Sequence, residues 1–131
     1  MSALRIEHVN VSVTDPERAA RLMGELFGWK IRWQGGARDG GRAIHVGAED
    51  HYIALWTGPE LAGRTGPFSM GRPLNHIGVE VDDLDVTEAK VRAAGLTPTH
   101  HGDYHPGRRF YFLDPDGIEY EVISYAKTGK A

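Results

Sequence analysis

Ile6–Trp33 reads IEHVNVSVTDPERAARLMGELFGWKIRW, and Leu74–His100 reads LNHIGVEVDDLDVTEAKVRAAGLTPTH. Laid with His8 on His76, the two segments repeat one another. Val9, Val11 and Val13 alternate with His8, Asn10 and Ser12, as Ile77, Val79 and Val81 alternate with His76, Gly78 and Glu80. Alternation with period two gives each strand one apolar and one polar face. The apolar face should pack on a helix, and the polar face carries both histidines. Asp15-Pro16 then supplies an N-cap and a first-turn proline. Ala19, Leu22, Met23, Leu26 and Phe27 form the stripe of a core-facing helix, which Gly28 stops. In the second copy Asp85 is the expected cap, Val86, Ala89, Ala93 and Ala94 the weaker stripe, and Gly95 the stop.

Three strand candidates follow each helix. They are Lys30 to Gln34, Arg42 to Val46 and Tyr52 to Trp56 in the first copy. In the second they are Thr97 to His101, Arg109 to Leu113 and Ile118 to Ile123, with a DPDG turn at Asp114 to Gly117. The expected fold is therefore α+β, two βαβββ modules in one domain over residues 1–131. Module one spans about 4–57, a Gly- and Pro-rich linker 58–73, module two 74–125 and a flexible tail 126–131. Modules of this size are expected to share a core.

Composition narrows the chemistry. There are no cysteines among the 131 residues, which excludes thiolate nucleophiles and thiolate ligands and fits a reducing compartment. Any metal must sit on imidazole and oxygen. The net charge of −3 and the lack of a basic run give no footprint for nucleic acid. MSALRIEHVN has no signal-peptide apolar region and no stretch is long enough to span a membrane, so a cytoplasmic location is expected.

The two copies also align at their far ends. RAIHVGAEDHYIALW from Arg42 lies on RFYFLDPDGIEYEVI from Arg109, which sets Glu121 opposite Ala54. If pseudo-symmetry gathers His8, His76, Ala54 and Glu121, three of the four offer metal ligands. Two imidazoles and one carboxylate make a facial triad with open coordination positions.

The stretch FYFLDPDGIEYE, Phe110 to Glu121, together with His8 and His76, resembles the vicinal-oxygen-chelate superfamily over about residues 5 to 125. That superfamily includes glyoxalase I, fosfomycin-resistance thiol transferases, type I extradiol dioxygenases, methylmalonyl-CoA epimerases and bleomycin-resistance proteins. The resemblance implies paired βαβββ modules with curved mixed sheets around a cleft. It also implies one divalent metal on His8, His76 and Glu121, a small-molecule substrate and a homodimer. It makes Tyr111 a substrate contact, by likeness to the thiol transferases. Fe, Mn, Zn, Ni and Mg are not distinguished. Lyase or isomerase, thiol-transferase and dioxygenase chemistry all stay open. Glyoxalase I has a fourth protein ligand where this chain has Ala54, so lactoylglutathione lyase activity is not implied.

Other candidates are weighed on position. Asn10 shares the polar strand face with His8, and Trp56 shares a face with Ala54, so both are candidate substrate contacts. His101 is a further candidate, within HHGDYHPGRR, which also holds His100 and His105 and reads as a His-rich loop. Glu119 shares a strand face with Glu121 and reads either as a general base or, preferably, as a solvated edge carboxylate. Trp29 and Trp33 read as core or interface residues. The arginines Arg38, Arg42, Arg108 and Arg109 read either as a hold for an anionic substrate or, preferably, as scattered surface charge. The alternative to a metal-dependent enzyme is a metal-free module that sequesters a small molecule, as bleomycin-resistance proteins do.

Overall fold

Asp15 caps the first helix as its position dictates. In the computed structural model its side chain accepts a hydrogen bond from Arg18 N at 3.0 Å, and Pro16 opens helix α1, Pro16–Phe27. Gly28 closes that helix in the left-handed region, φ 71°, where a side chain would be strained. The structure describes residues 6–61, 68, 74–104 (of Tyr104 only the backbone) and 107–125. The expected tail, His105 and most of the expected linker lie outside these residues.

The chain divides into two compact units, Met1–Thr65 and Gly66–Ala131. In the first, β1 (His8–Ser12) precedes α1 and is followed by β2 (Lys30–Gly36), β3 (Arg42–Gly47) and β4 (Tyr52–Thr57). In the second, β5 (Ile77–Glu80) precedes α2 (Leu84–Ala93) and is followed by β6 (Thr99–Tyr104), β7 (Gly107–Leu113) and β8 (Glu119–Ser124). Each unit is βαβββ. The sheet orders are β1-β4-β3-β2 and β5-β8-β7-β6, with the first strand parallel to the last and the other pairs antiparallel.

Register independently supports the repeat. Asn10 pairs with Ala54 and Gly78 with Glu121, while His45 pairs with Ala54 and Tyr111 with Glu121. Ala54 and Glu121 therefore hold equivalent positions, as expected, but His45 matches Tyr111 and not Phe112, so β3 and β7 are offset by one residue from the expected alignment of Arg42 on Arg109. Each sheet buries alternate residues under its helix. In unit one Ile44, Val46, Ile53 and Leu55 pack with Ala19, Met23 and Leu26; in unit two Phe110, Phe112, Tyr120 and Val122 pack with Leu84 and Val91. Burial pushes the Tyr120 phenol well above its usual pKa, with Asp114 and Asp116 adding to the shift.

Three expectations need correction. The cap of α2 is Asp83, whose side chain accepts from Val86 N at 3.1 Å; Asp85 lies inside the helix and pairs with Arg108. The buried face of α2 is Leu84, Thr87 and Val91, with Val86 half exposed, because the helix starts two residues earlier than expected. HHGDYHPGRR is largely strand: its first residues belong to β6 and Gly107 onward to β7. The aromatic and β-branched content of the flanking segment extends the hairpin through a polar stretch.

Candidate functional site

Glu121 sits on β8 with its side chain away from the helix, since Tyr120 and Val122 fill the core. Its Oε1 lies 3.1 Å from His76 Nε2, and its Oε2 accepts from Arg109 Nη1 at 2.8 Å. The His76 side chain is 33 % exposed, that of Glu121 only 13 %, so this contact is screened less than a surface pair. His76 Nδ1 is 2.8 Å from Asn75 Oδ1, and the ring stands edge-on to Tyr111 at 5.5 Å. With Nδ1–H donating to Asn75, a neutral imidazole turns its Nε2 lone pair towards the carboxylate. Two acceptors at that distance repel unless a proton or a metal cation lies between them. The donor set therefore fits a divalent ion.

In unit one, His8 Nδ1 is 2.7 Å from Glu7 Oε1. An ionised carboxylate can only accept, so Nδ1 carries the hydrogen and a neutral His8 offers Nε2 as a metal ligand. The ring stacks on Tyr52 at 4.8 Å. Tyr52 also stacks on His45 at 4.5 Å and lies beneath the Arg32 guanidinium, 4.5 Å from its centroid. Burial lowers the proton affinity of His45 below the ordinary imidazole value, helped by the charges of His8 and Arg32. Ala54 is buried and offers no donor. In neither unit do the described residues gather three His, Asp or Glu side chains into a metal-binding group.

The remaining candidates are dispersed. Tyr111 joins His76 and is the cross-strand neighbour of Glu121. Asn10 is exposed on β1 beside Ala54. The Trp56 indole donates to Arg38 O at 3.1 Å and is enclosed by Gly41 and Gly58. A Cβ at either glycine would fall within 2.7 Å of the indole, so the ring is fixed by close backbone approach. His101 is not with this group. It stacks on Phe110 and hydrogen-bonds to Glu88 of α2 at 2.8 Å, on the helix side of the sheet. A bulge between Thr99 and Gly102 inserts one residue and turns His101 over. Burial raises the pKa of Glu88, but hydrogen bonds from His101 and Arg92 outweigh it and leave the carboxyl below its usual range. Trp33 is half exposed. Arg42 pairs with Glu17, and Arg108 with Asp85 at 3.0 Å; each hydrogen bond raises the guanidinium pKa.

Sequence reasoning missed Glu7 and Asn75, and it read Arg109 as surface charge, whereas that side chain is nearly buried and pairs with Glu121. The first two carried a signal: each immediately precedes a repeat histidine and has a side-chain oxygen. Arg109 was legible from strand parity, two residues before Tyr111 on the same face.

Mixed four-stranded sheets in βαβββ units, with His76 facing Glu121 across β5 and β8, define the class of fold and site. A protein-family model described as the Glyoxalase/Bleomycin resistance protein/Dioxygenase superfamily matches residues 5–122, and the chain belongs to that superfamily. Among solved structures it is similar to a glyoxylase/bleomycin resistance protein/dioxygenase domain from Frankia sp. EAN1pec. The TM-score is 0.79 and the identity 27%, over 94% of this chain and 98% of that one. The trypanothione-dependent glyoxalase I of Leishmania major shares the fold at TM-score 0.77 and 18% identity, over 94% and 88%. So does the fosfomycin resistance protein FosX of Listeria monocytogenes, complexed with Mn(II) and sulfate, at TM-score 0.71 and 17% identity, over 98% and 97%. No curated protein matches the chain significantly. No helix among the described residues is long and apolar enough to cross a membrane.

Proposed function

We propose that His8, His76 and Glu121 bind one divalent metal, and that the chain is a metal-dependent enzyme for a small substrate that chelates through oxygen. The observation that carries this reading is the 3.1 Å approach of His76 Nε2 to Glu121 Oε1 with Nδ1 held from behind by Asn75. The Glu7 contact does the same for His8. Such partners fix the tautomer and aim the ligating nitrogen. When bound, the metal would supply Lewis acidity to the substrate's oxygens. Arg109 would hold Glu121 in orientation, and Tyr111 would wall the substrate. The Mn(II) complex of the FosX relative supports a hard divalent ion.

Titration of Mn(II) by calorimetry into chelator-free protein tests this. Wild type should bind one ion per chain. Glu121→Ala should lower affinity by about a hundredfold or more, and Glu119→Ala should not. Affinity should fall as the solution is acidified, since each imidazole must be neutral to ligate. Equal affinity in wild type and Glu121→Ala sinks the reading. A metal-free small-molecule binder then takes its place, a reading that Arg109 favours because its guanidinium already compensates the Glu121 charge.

The reading requires His8 to meet the pair from module two, within one chain or across a homodimer. Among the described residues β1 pairs only with β4 and β5 only with β8, so each sheet has an open edge that a second strand could cover. We infer a cytoplasmic homodimer. Mixing His8→Ala with Glu121→Ala separates the arrangements. Donors from different chains would restore about one quarter of the sites after subunit exchange, and donors from one chain would restore none. A monomer by light scattering at micromolar concentration would remove the dimer.

A further inference from the structure

Module two has a cavity of about 380 Å³ lined by Leu96, Thr97, Thr99, His100, Leu113 and Glu119, at the lower end of the range of small-molecule sites. It lies on the same strand face as Glu121 but shares no residue with the proposed metal ligands. Two of its polar groups have determined and unused capacity. Thr99 Oγ1 donates to Tyr111 O at 3.3 Å, which uses its one hydrogen. It must then accept from His100 Nδ1–H, 3.0 Å away, so a neutral His100 presents a bare lone pair at Nε2. The half-buried Glu119 carboxylate makes no hydrogen bond or ion pair among the described residues. His100 holds a positive φ of 53°, unusual for a residue with a side chain. That conformation belongs to the same bulge that sends His101 to the other face.

Module one shows what belongs in this place. Register sets Glu119 opposite Tyr52, and Thr99 opposite Trp33, so that Pro98 stands where module one has Arg32. In module one the Arg32 guanidinium lies 4.5 Å from the Tyr52 centroid, a cation held over the residue at that position. Module two has the uncharged Pro98 in place of the arginine, and a carboxylate in place of the ring. We propose that this cavity is a binding site for a small alkylammonium group, the ligand's cation standing where module one has its own arginine. Glu119 and His100 Nε2 would accept from the ammonium N–H groups, and Leu96 and Leu113 would cover the alkyl chain.

The test is a titration of the isotope-labelled full-length chain with n-butylammonium chloride, followed by NMR. Expected are saturable shifts at Thr99, His100, Leu113 and Glu119, including the His100 Nε2 resonance. n-Butanol, which has the chain and a donor but no charge, should bind at least about tenfold more weakly, and so should n-butylammonium to Glu119→Gln. Glu121→Gln should leave n-butylammonium binding unchanged, so loss of the metal site and loss of this one are read separately. His100→Ala, on an exposed bulge, is read in parallel should Glu119→Gln misfold, and it should also weaken binding. Absence of a saturable shift in wild type overturns the proposal. So does equal binding of butanol and butylammonium, or wild-type affinity in the folded variants.

Discussion

The two modules share a plan and differ in what fills it. On the helix side, module one uses Ile44, Val46, Ile53 and Leu55 where module two uses Phe110, Phe112, Tyr120 and Val122. On the other face, module one places Ala54 and Tyr52 where module two places Glu121 and Glu119. Module one is thus closed by stacked rings, His8 on Tyr52 on His45. Module two presents carboxylates. The contrast teaches that backbone register is kept while each face is re-specified, so one module carries a single proposed ligand and the other two.

The largest expected effect tests the cores. Phe110 is fully buried, and Phe110→Ala should cost about 3–5 kcal/mol of stability through lost transfer energy and a cavity. At the equivalent position in module one, Ile44→Val removes one methylene and should cost about 0.5–1.5 kcal/mol. Urea unfolding measures both. Equal losses would mean that the aromatic core of module two collapses around the deletion.

Next is the histidine support that both modules possess. Glu7→Ala and Asn75→Ala should each lower Mn(II) affinity by about 10–100-fold while leaving the unfolding midpoint nearly unchanged. If only one matters, the two histidines are not equivalent ligands. A smaller effect separates the helix caps. Asp83→Ala should destabilise by about 1 kcal/mol, as Asp15→Ala should in module one. Asp85→Ala should lose less, because its contact with Arg108 is exposed.

The caps also show what was legible. The strand alternation, the paired helices, the DPDG turn and the Ala54–Glu121 equivalence follow from periodicity and repeat, and each is a backbone property that neighbouring residues reinforce. The phase of α2 was legible too. With His8 on His76, Asp15 falls on Asp83, and the buried Pro16, Ala19 and Met23 fall on Leu84, Thr87 and Val91, the buried face of α2. Local reading preferred Val86 because it is apolar, and Thr87 at the same turn is the one that packs. The side of His101 was not legible. A one-residue bulge reverses side-chain direction, and nothing in THHGDY sets its place. Nor was the diversion of Trp56 to the Arg38 carbonyl, which depends on a hairpin loop folding back over β4.

The smallest predicted effect is a pH dependence confined to module two. Glu88 falls opposite Ala20 in the repeat, so only α2 carries a carboxylate at this helix position. Burial disfavours its charged form, but hydrogen bonds from His101 and Arg92 prevail and hold its pKa below the ordinary 4.5. A depressed carboxylate pKa contributes stability that is full above the unfolded value and is lost as pH falls through the folded one. Glu88→Gln keeps the shape and removes the charge. At pH 7 the variant should be less stable than wild type by a few tenths to about 1 kcal/mol, since His101 and Arg92 are largely exposed. Once Glu88 is protonated the two proteins carry the same charge there and the gap should close. Paired urea unfolding curves from pH 7 down to below pH 4 measure this, and a gap that stays constant would mean that shape, not charge, holds β6 against α2.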